Sequence, residues 1–317
     1  MGTREMLKKL GEDIVDEAFS DLFSMRIPSI TAKKVLGHFS RRWRDYTRAA
    51  LMVMSCQAVG GDSRVVRQAA KALVLCGGAF DLHDDIIDKS FARKKRRIAS
   101  IQGIYGMEAT LLAGDALLIA GLSMLSEMSD VPKSRAQQAV NEIRSGLFEL
   151  GSAEMEELSL VRNLNSNPRR YLHIVHMKAA DVEAYTKVGA MLGGGNQEEC
   201  EALGRYGRHL GEVCILRDDL EDTFNDDWEL RSRICKESLP LPIIFSLKDE
   251  RCRRILLDMF SKSPEDISKK ELADLISVID ENRGFERGQE LIQKHVRMAK
   301  REVLHLRDPE PFLALFQ

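Results

Sequence analysis

The sequence predicts an all-α protein, folded as a single helical bundle over residues 1–317. Three observations carry this expectation. Only 8 prolines occur in 317 residues, so long runs contain no helix breaker. Apolar residues recur at spacings of three and four along most of the chain. No low-complexity stretch and no linker-like composition divides it, which makes one domain the economical reading. With 44% hydrophobic residues, the chain can bury a sizeable core.

The elements follow in order. Residues 3–25 form an amphipathic helix with Leu10, Ile14, Ala18 and Leu22 on one stripe, ended by Ile27-Pro28-Ser29. Residues 31–58 read as a second helix, apolar on most sides from Ala49 onwards and therefore central. Gly60-Gly61-Asp62-Ser63 is a turn with N-cap chemistry. A helix over 63–88 ends in acids, and a basic loop of Lys89, Arg93, Lys94, Lys95, Arg96 and Arg97 follows. Further helices are expected over 103–127, from Pro132 to about 158, over 169–192 and over 197–224. Asn163 to Pro168 is a polar turn, Gly193-Gly194-Gly195 a break, and Trp228 to Arg233 a polar loop. Short helices over 243–262, 265–280 and 283–305 complete the chain.

Composition excludes several classes. With 47 basic and 49 acidic residues the net charge is −2, which argues against nucleic acid as a partner. The 6 cysteines (56, 76, 200, 214, 235 and 252) form no C-x-x-C pair and read as reduced core residues of a cytoplasmic protein. The N-terminus lacks the apolar region of a signal peptide, and no stretch is expected to span a membrane.

The chain is organised around Asp81-Leu-His-Asp-Asp-Ile-Ile-Asp88, four carboxylates in eight residues at the end of an apolar helix. Asp84, Asp85 and Asp88 make D-D-x-x-D. On a helix, residues 84 and 88 lie about 6 Å apart along the axis. At that distance two carboxylates repel by about 3 kcal/mol at an effective dielectric of 20. Such a group persists if cations neutralise it or water reaches it. The pattern returns about 130 residues later as Asp218-Asp219-Leu-Glu-Asp222. One copy alone reads as a solvated helix end; two copies, each closing a long helix, point to shared Mg²⁺, a hard ion that takes carboxylate oxygens and bridges them to phosphate. Asp84, Asp85, Asp88, Asp218, Asp219 and Asp222 are the candidate metal ligands. The 93–97 run, including Arg96 and Arg97, together with Lys178 and Lys236, would meet phosphate oxygens. Apolar side chains from 70–80 and 111–125 would line a cavity behind them. A charged head and an apolar tail describe an isoprenoid diphosphate, and the reaction permitted is ionisation to an allylic cation in a dry site.

The chain resembles the trans-isoprenyl diphosphate synthases, the farnesyl, geranylgeranyl and polyprenyl diphosphate synthases, over about residues 30–245. Leu82 to Asp88 matches the family's first aspartate-rich motif, and Tyr105-Gly106 with Ala113-Gly-Asp-Ala-Leu117 the segment after it. Lys178-Ala179 resembles its K-T pair. Tyr206-Gly207, Leu210-Gly211 and Asp218 to Asp222 match the second aspartate-rich region, and Lys236-Glu-Ser-Leu-Pro240 its K-x-T-L-P. The resemblance implies an all-α bundle around a deep central cavity, a homodimer, and Mg²⁺ held by both clusters. It implies catalytic roles for Asp84, Asp85, Asp88, Asp218, Asp219 and Lys178. Arg48 and Phe80 join the substrate-binding set, Phe80 as an aromatic closing the tail pocket one turn before Asp84.

The departures concentrate in the isopentenyl diphosphate half. Where the family places G-K-R-x-R-P, this chain has Asp45 and Tyr46 at the lysine and arginine positions, and only Arg48 survives. The family's histidine seven residues before the first motif aspartate falls on Gly77. Its R-R-G-x-P-T appears as Lys95-Arg96-Arg97-Ile-Ala-Ser100, its F-Q as Cys214-Ile215, and its G-Q-x-x-D as Gly151-Ser-Ala-Glu-Met155. The expected function is condensation of an allylic diphosphate with isopentenyl diphosphate. Two alternatives stand beside it: ionisation with another acceptor, giving cyclisation, hydrolysis or a different prenyl transfer, and a non-catalytic subunit that binds a prenyl diphosphate.

Overall fold

A computed structural model describes residues 2–93, 98–224 and 227–316. The described residues are helical apart from turns, short connections and one two-residue antiparallel ladder, β1 (Ala92–Arg93) with β2 (Ile98–Ala99). The all-α expectation holds. Two compact units emerge: residues 1–144, 182–205 and 302–317, and residues 145–181 and 206–301.

In the first unit, α1 (Thr3–Ser24) buries Ile14, Val15, Ala18, Phe19 and Leu22 along the stripe that its spacing predicts. The expected helix over 31–58 is instead two, α2 (Ile30–Arg42) and α3 (Thr47–Ala58). The break at 43–46 has a local cause: the Asp45 side chain accepts the Thr47 N–H at 2.7 Å, turning the chain as an N-cap does. The Tyr46 carbonyl also lies 2.5 Å from where a Cβ on Gly11 would stand, so this turn rests directly on α1.

A 3-10 turn over Ser63–Val66, capped by Asp62, leads into α4 (Arg67–Ile87). Residues 69–79 of α4 are nearly all apolar and buried, as suits a helix packed on several sides. The chain leaves α4 through Asp88 and Lys89, the latter at φ +54°. The expected helix over 103–127 is divided into α5 (Ile101–Tyr105) and α6 (Met107–Ser126) by Gly106 at φ +85°, a conformation that favours glycine. The main packing of this unit sets α4 against α6, with α1 and α3 against α4. Helix α6 is long and apolar enough to cross a membrane by length and composition alone, and 44% of its apolar window is buried within the protein. The unit also takes in the starts of α7 (Lys133–Leu158) and α10 (Gln197–Phe224), most of α9 (Ala180–Gly193), and the C-terminal α16 (Glu310–Ala314).

The second unit holds the rest of α7 and α10, with α8 (Pro168–Lys178), α11 (Asp227–Lys236), α12 (Leu241–Ser246), α13 (Glu250–Met259), α14 (Lys269–Glu281) and most of α15 (Gly284–Val303). The expected helix over 169–192 breaks at Ala179, and the expected polar loop over 228–233 is the helix α11. Within this unit α12 packs on α8 and α14, and α13 on α11 and α14.

Candidate functional site

The last two turns of α4 carry Asp81, Asp84 and Asp85, and Asp88 caps its end. A helix C-terminus bears partial negative charge, so these acids are opposed by the helix as well as by one another. Asp84, Asp85 and Asp88 are half-buried. Asp84 and Asp85 line an open groove of about 600 Å³ with Asp81, Asp45, Arg42, Trp43 and Arg44. The Trp43 indole N–H donates to Asp81 Oδ2 at 2.5 Å. His83 Nε2 lies 3.3 Å from Asp115 Oδ1 on α6 without making a hydrogen bond.

Arg48 is held by its neighbours. Its guanidinium pairs with Asp45 and reaches Asp81 at 3.6 Å, and its Nε donates to the Tyr185 hydroxyl at 3.2 Å. A Cβ on Gly77 would stand 2.7 Å from Arg48 Cδ, so the missing side chain at 77 is the space that Arg48 occupies. The two departures from the family pattern, Asp45 and Gly77, are thus parts of one local arrangement around the surviving arginine.

The downstream cluster closes α10, and its members differ sharply. Asp219 is 1% exposed. Its Oδ1 accepts from Tyr171 at 2.9 Å and from Arg233 at 2.9 Å; its Oδ2 accepts from Tyr171 at 2.8 Å and from the Leu241 amide at 3.1 Å. Every partner donates, so the group is a carboxylate, and its oxygens are spent on protein. Burial, then the Asp219 charge, pushes the Tyr171 hydroxyl well up, which keeps it a donor. This geometry departs from the expectation of a metal ligand and catalytic group at 219: Asp219 ties α8, α11 and the start of α12 to α10. Arg233 also donates to Asp222 at 3.2 Å and pairs with Glu237 at 3.3 Å. Asp218 neighbours these groups in sequence on the same helix.

Lys178, at the end of α8, pairs with Glu157 at 2.6 Å and Glu154 at 3.0 Å, both on α7. Burial works to raise the Glu157 carboxyl, and the Lys178 charge, its hydrogen bond and that of Ser238 outweigh it and hold the group low. Lys236 lies half-buried in the last turn of α11. Phe80 is half-buried one turn before Asp84. Arg96 and Arg97 lie outside the described residues.

Residues 30–276 match the family model described as polyprenyl synthetase. The chain belongs to the polyprenyl synthetase family. It is 26% identical to a short chain isoprenyl diphosphate synthase of Methanothermobacter thermautotrophicus, over 99% of this chain and 97% of that one. It is likewise 26% identical to a geranylgeranyl diphosphate synthase of Methanosarcina mazei, over 84% and 82%. Among solved structures, a geranylgeranyl pyrophosphate synthetase from Pyrococcus horikoshii superposes with a TM-score of 0.86 at 21% identity, covering 98% of this chain and 96% of that one. A polyprenyl synthase from Caulobacter crescentus, solved with calcium and isoprenyl diphosphate, superposes with a TM-score of 0.84 at 20% identity over 98% and 95%. At these identities the structures show the polyprenyl synthetase fold.

Within this family member, sequence reasoning missed Arg233, Tyr171 and Trp43. The signal for Arg233 was present: it lies between Leu230 and Ile234, an apolar pair one turn apart that is buried, and shortly after two aspartates that end the preceding helix. Trp43 carried a weaker sign, as one of 2 tryptophans in the chain, set among arginines.

Proposed function

We propose that the protein is a prenyltransferase that ionises an allylic prenyl diphosphate with Mg²⁺ and condenses it with isopentenyl diphosphate to a longer trans-prenyl diphosphate. The observation that carries this reading is the Asp84, Asp85 and Asp88 trio at the C-terminal end of α4 in a polyprenyl synthetase. Half-buried carboxylate oxygens, repelled by each other and by the helix end, suit a hard divalent cation. Asp218 and Asp222 are the downstream donors; Asp219 is left to the fold. The Caulobacter relative, solved with calcium and isoprenyl diphosphate, supports a divalent ion here. Bound Mg²⁺ supplies the charge that lets diphosphate leave.

The chain's own cations do the rest. Lys178 meets diphosphate oxygens by exchanging a glutamate partner, and Lys236, Arg96 and Arg97 neutralise those that metal does not reach. Phe80 packs against the growing tail. We further propose that residues 1–317 act as one isoprenoid-synthase-like domain, since the unit boundaries fall inside α7, α9, α10 and α15 and not in linkers. The protein works as a homodimer in the cytoplasm. The apolar side chains exposed on α6 support the first, and the buried thiols of Cys56, Cys76, Cys200, Cys235 and Cys252 the second.

A second reading has its own observation. With Arg48 engaged by Asp45 and Asp81, the groove beside Asp84 holds more acid than base, a poor receptor for a second diphosphate. This favours ionisation of one allylic diphosphate with another acceptor. Purified protein with Mg²⁺, isopentenyl diphosphate and C5 to C20 allylic primers separates the two. A longer diphosphate establishes condensation, and none from any primer overturns it. A prenyl alcohol, cyclised hydrocarbon or other transfer product from the allylic diphosphate alone establishes the second. Diphosphate binding that needs Mg²⁺ but yields no product marks a non-catalytic subunit.

A further inference from the structure

Away from the aspartates, three of the chain's 7 histidines converge on one buried glutamate. His209 and Glu212 share a face of α10, three residues apart, and Glu212 lies about 9 Å along the helix before Asp218. His295 comes from α15 and His176 from the last turn of α8. Glu212 Oε2 lies 2.8 Å from His209 Nδ1 and 2.5 Å from His295 Nδ1, and its Oε1 lies 2.8 Å from His176 Nδ1. The Nδ1 atoms of His209 and His295 are 3.4 Å apart. Only 7% of the Glu212 side chain is exposed, against 14% for His209 and 15% for His295, so water competes little for these atoms.

We propose that His209, Glu212 and His295 form a binding site for a divalent transition-metal ion of the zinc class. Two imidazole nitrogens and a carboxylate oxygen all lie within 4.8 Å of one another. A tetrahedral zinc ion with ligands at about 2.05 Å sets them about 3.3 Å apart. The His209–His295 separation already matches such an edge. The carboxylate distances are those of hydrogen bonds to ring protons; when the ion enters, both rings give up those protons and Oε2 draws back by about half an ångström from His209 and about 0.8 Å from His295. Mixed nitrogen and oxygen donors suit Zn²⁺, Co²⁺ or Ni²⁺ and disfavour Mg²⁺, which prefers an all-oxygen shell. His176 orients the carboxylate from its other oxygen, as a group behind a ligand does. Its own carbonyl accepts from Arg208 at 2.7 Å, and Arg208 is pinned to Glu149 at 2.8 Å, which fixes the end of α8. The ion would join α10 to α15 and α8 and need take no part in prenyl transfer.

The test uses full-length protein without a histidine tag, stripped with a chelator and held in excess Mg²⁺ to occupy the aspartates. Co²⁺ titration is expected to give the visible d–d bands of a nitrogen-ligated, low-coordinate ion, saturating at one per chain and bleached by Zn²⁺. His295→Gln and Glu212→Gln are each expected to abolish the bands, His176→Gln to weaken binding about 10- to 100-fold, and His305→Gln to leave it unchanged. Circular dichroism checks that each variant is folded. In the wild-type chain Zn²⁺ is expected to raise the melting temperature, a readout independent of the variants. No bands and no Zn²⁺-dependent rise overturn the proposal. So do bands that survive in both folded variants at His295 and Glu212. No prenyl substrate enters the assay, so its outcome is separate from that of the condensation reaction.

Discussion

Asp219 and Asp84 are written with the same letter in the same motif, yet one is dry and bonded on both oxygens while the other lines an open groove. Removing the charge at Asp219 leaves Arg233 buried beside a weakened partner, which costs about 3–5 kcal/mol when such a pair is broken from one side. Asp219→Asn is therefore expected to lower the denaturant midpoint of the metal-free protein markedly. A role in metal binding alone would leave that midpoint unmoved. At Arg48 the expectation concerns substrate. The pair with Asp45 is partly exposed and worth about 1 kcal/mol. If Arg48 meets isopentenyl diphosphate, Asp45→Asn removes one competitor for its guanidinium, leaving Asp81 and Tyr185, and lowers KM for that substrate by up to about fivefold with kcat unchanged; steady-state kinetics read this directly. The candidate metal residues were legible because repeated carboxylates at helical spacing need an explanation. The burial of Asp219 was not, since pattern and spacing say nothing about which face of α10 meets Tyr171 and Leu241. The capture of Arg48 depends on Tyr185, 137 positions away.

Among the elements, the long helices were legible where apolar spacing of three and four ran unbroken between turn residues. Helices α1, α4 and α10 end where periodicity and turn residues place their ends. The misread segments are those where a short-range bond competes with the helix: the Asp45 turn after α2, the break at Ala179, and Gly106. Helix α11 was read as a loop because its polar residues outnumber the buried Leu230, Ile234 and Cys235, and because Arg233 is matched by Asp219 and Asp222 from another helix. Helix α14 shows a start signal that sequence carries well. Ser268 and Glu271 form a capping box, and Lys262 binds Glu271 from outside the helix. The Lys262 hydrogen bond first, and then those from Ser268, pull the Glu271 carboxyl down to about 2. A folded value below the unfolded one gives a contribution that is complete above about pH 4.5, the upper end of the ordinary glutamate range. It is lost as pH falls towards 2. Urea melts of wild type and Glu271→Gln are expected to differ at pH 7 and to converge between pH 4.5 and 2. Ser268→Ala is expected to cost about 1 kcal/mol at pH 7.

At the scale of the molecule, helix α6 presents Leu111, Leu112, Ile119 and Leu122 to solvent, and Leu112 and Ile119 are 66% and 65% exposed. Leucines this open along one helix suit a second copy of the chain. Light scattering of the wild type is expected to give twice the 35.8 kDa of one chain, and Leu112→Lys with Ile119→Lys to give one. A wild-type monomer at micromolar concentration would end the dimer proposal.

Arg48 resting in the hollow left by Gly77 has a bearing on how this protein can change. Any side chain introduced at 77 meets Arg48 at 2.7 Å, while trimming Arg48 opens a hole beside α4 and leaves Asp45 and Asp81 to the Thr47 amide and the Trp43 indole. The Arg48 atoms met belong to the far end of a flexible side chain, which can move aside. Refilling 77 swings the guanidinium off its acids and towards the open groove, so a library that varies 45 and 77 together is the route to a changed acceptor.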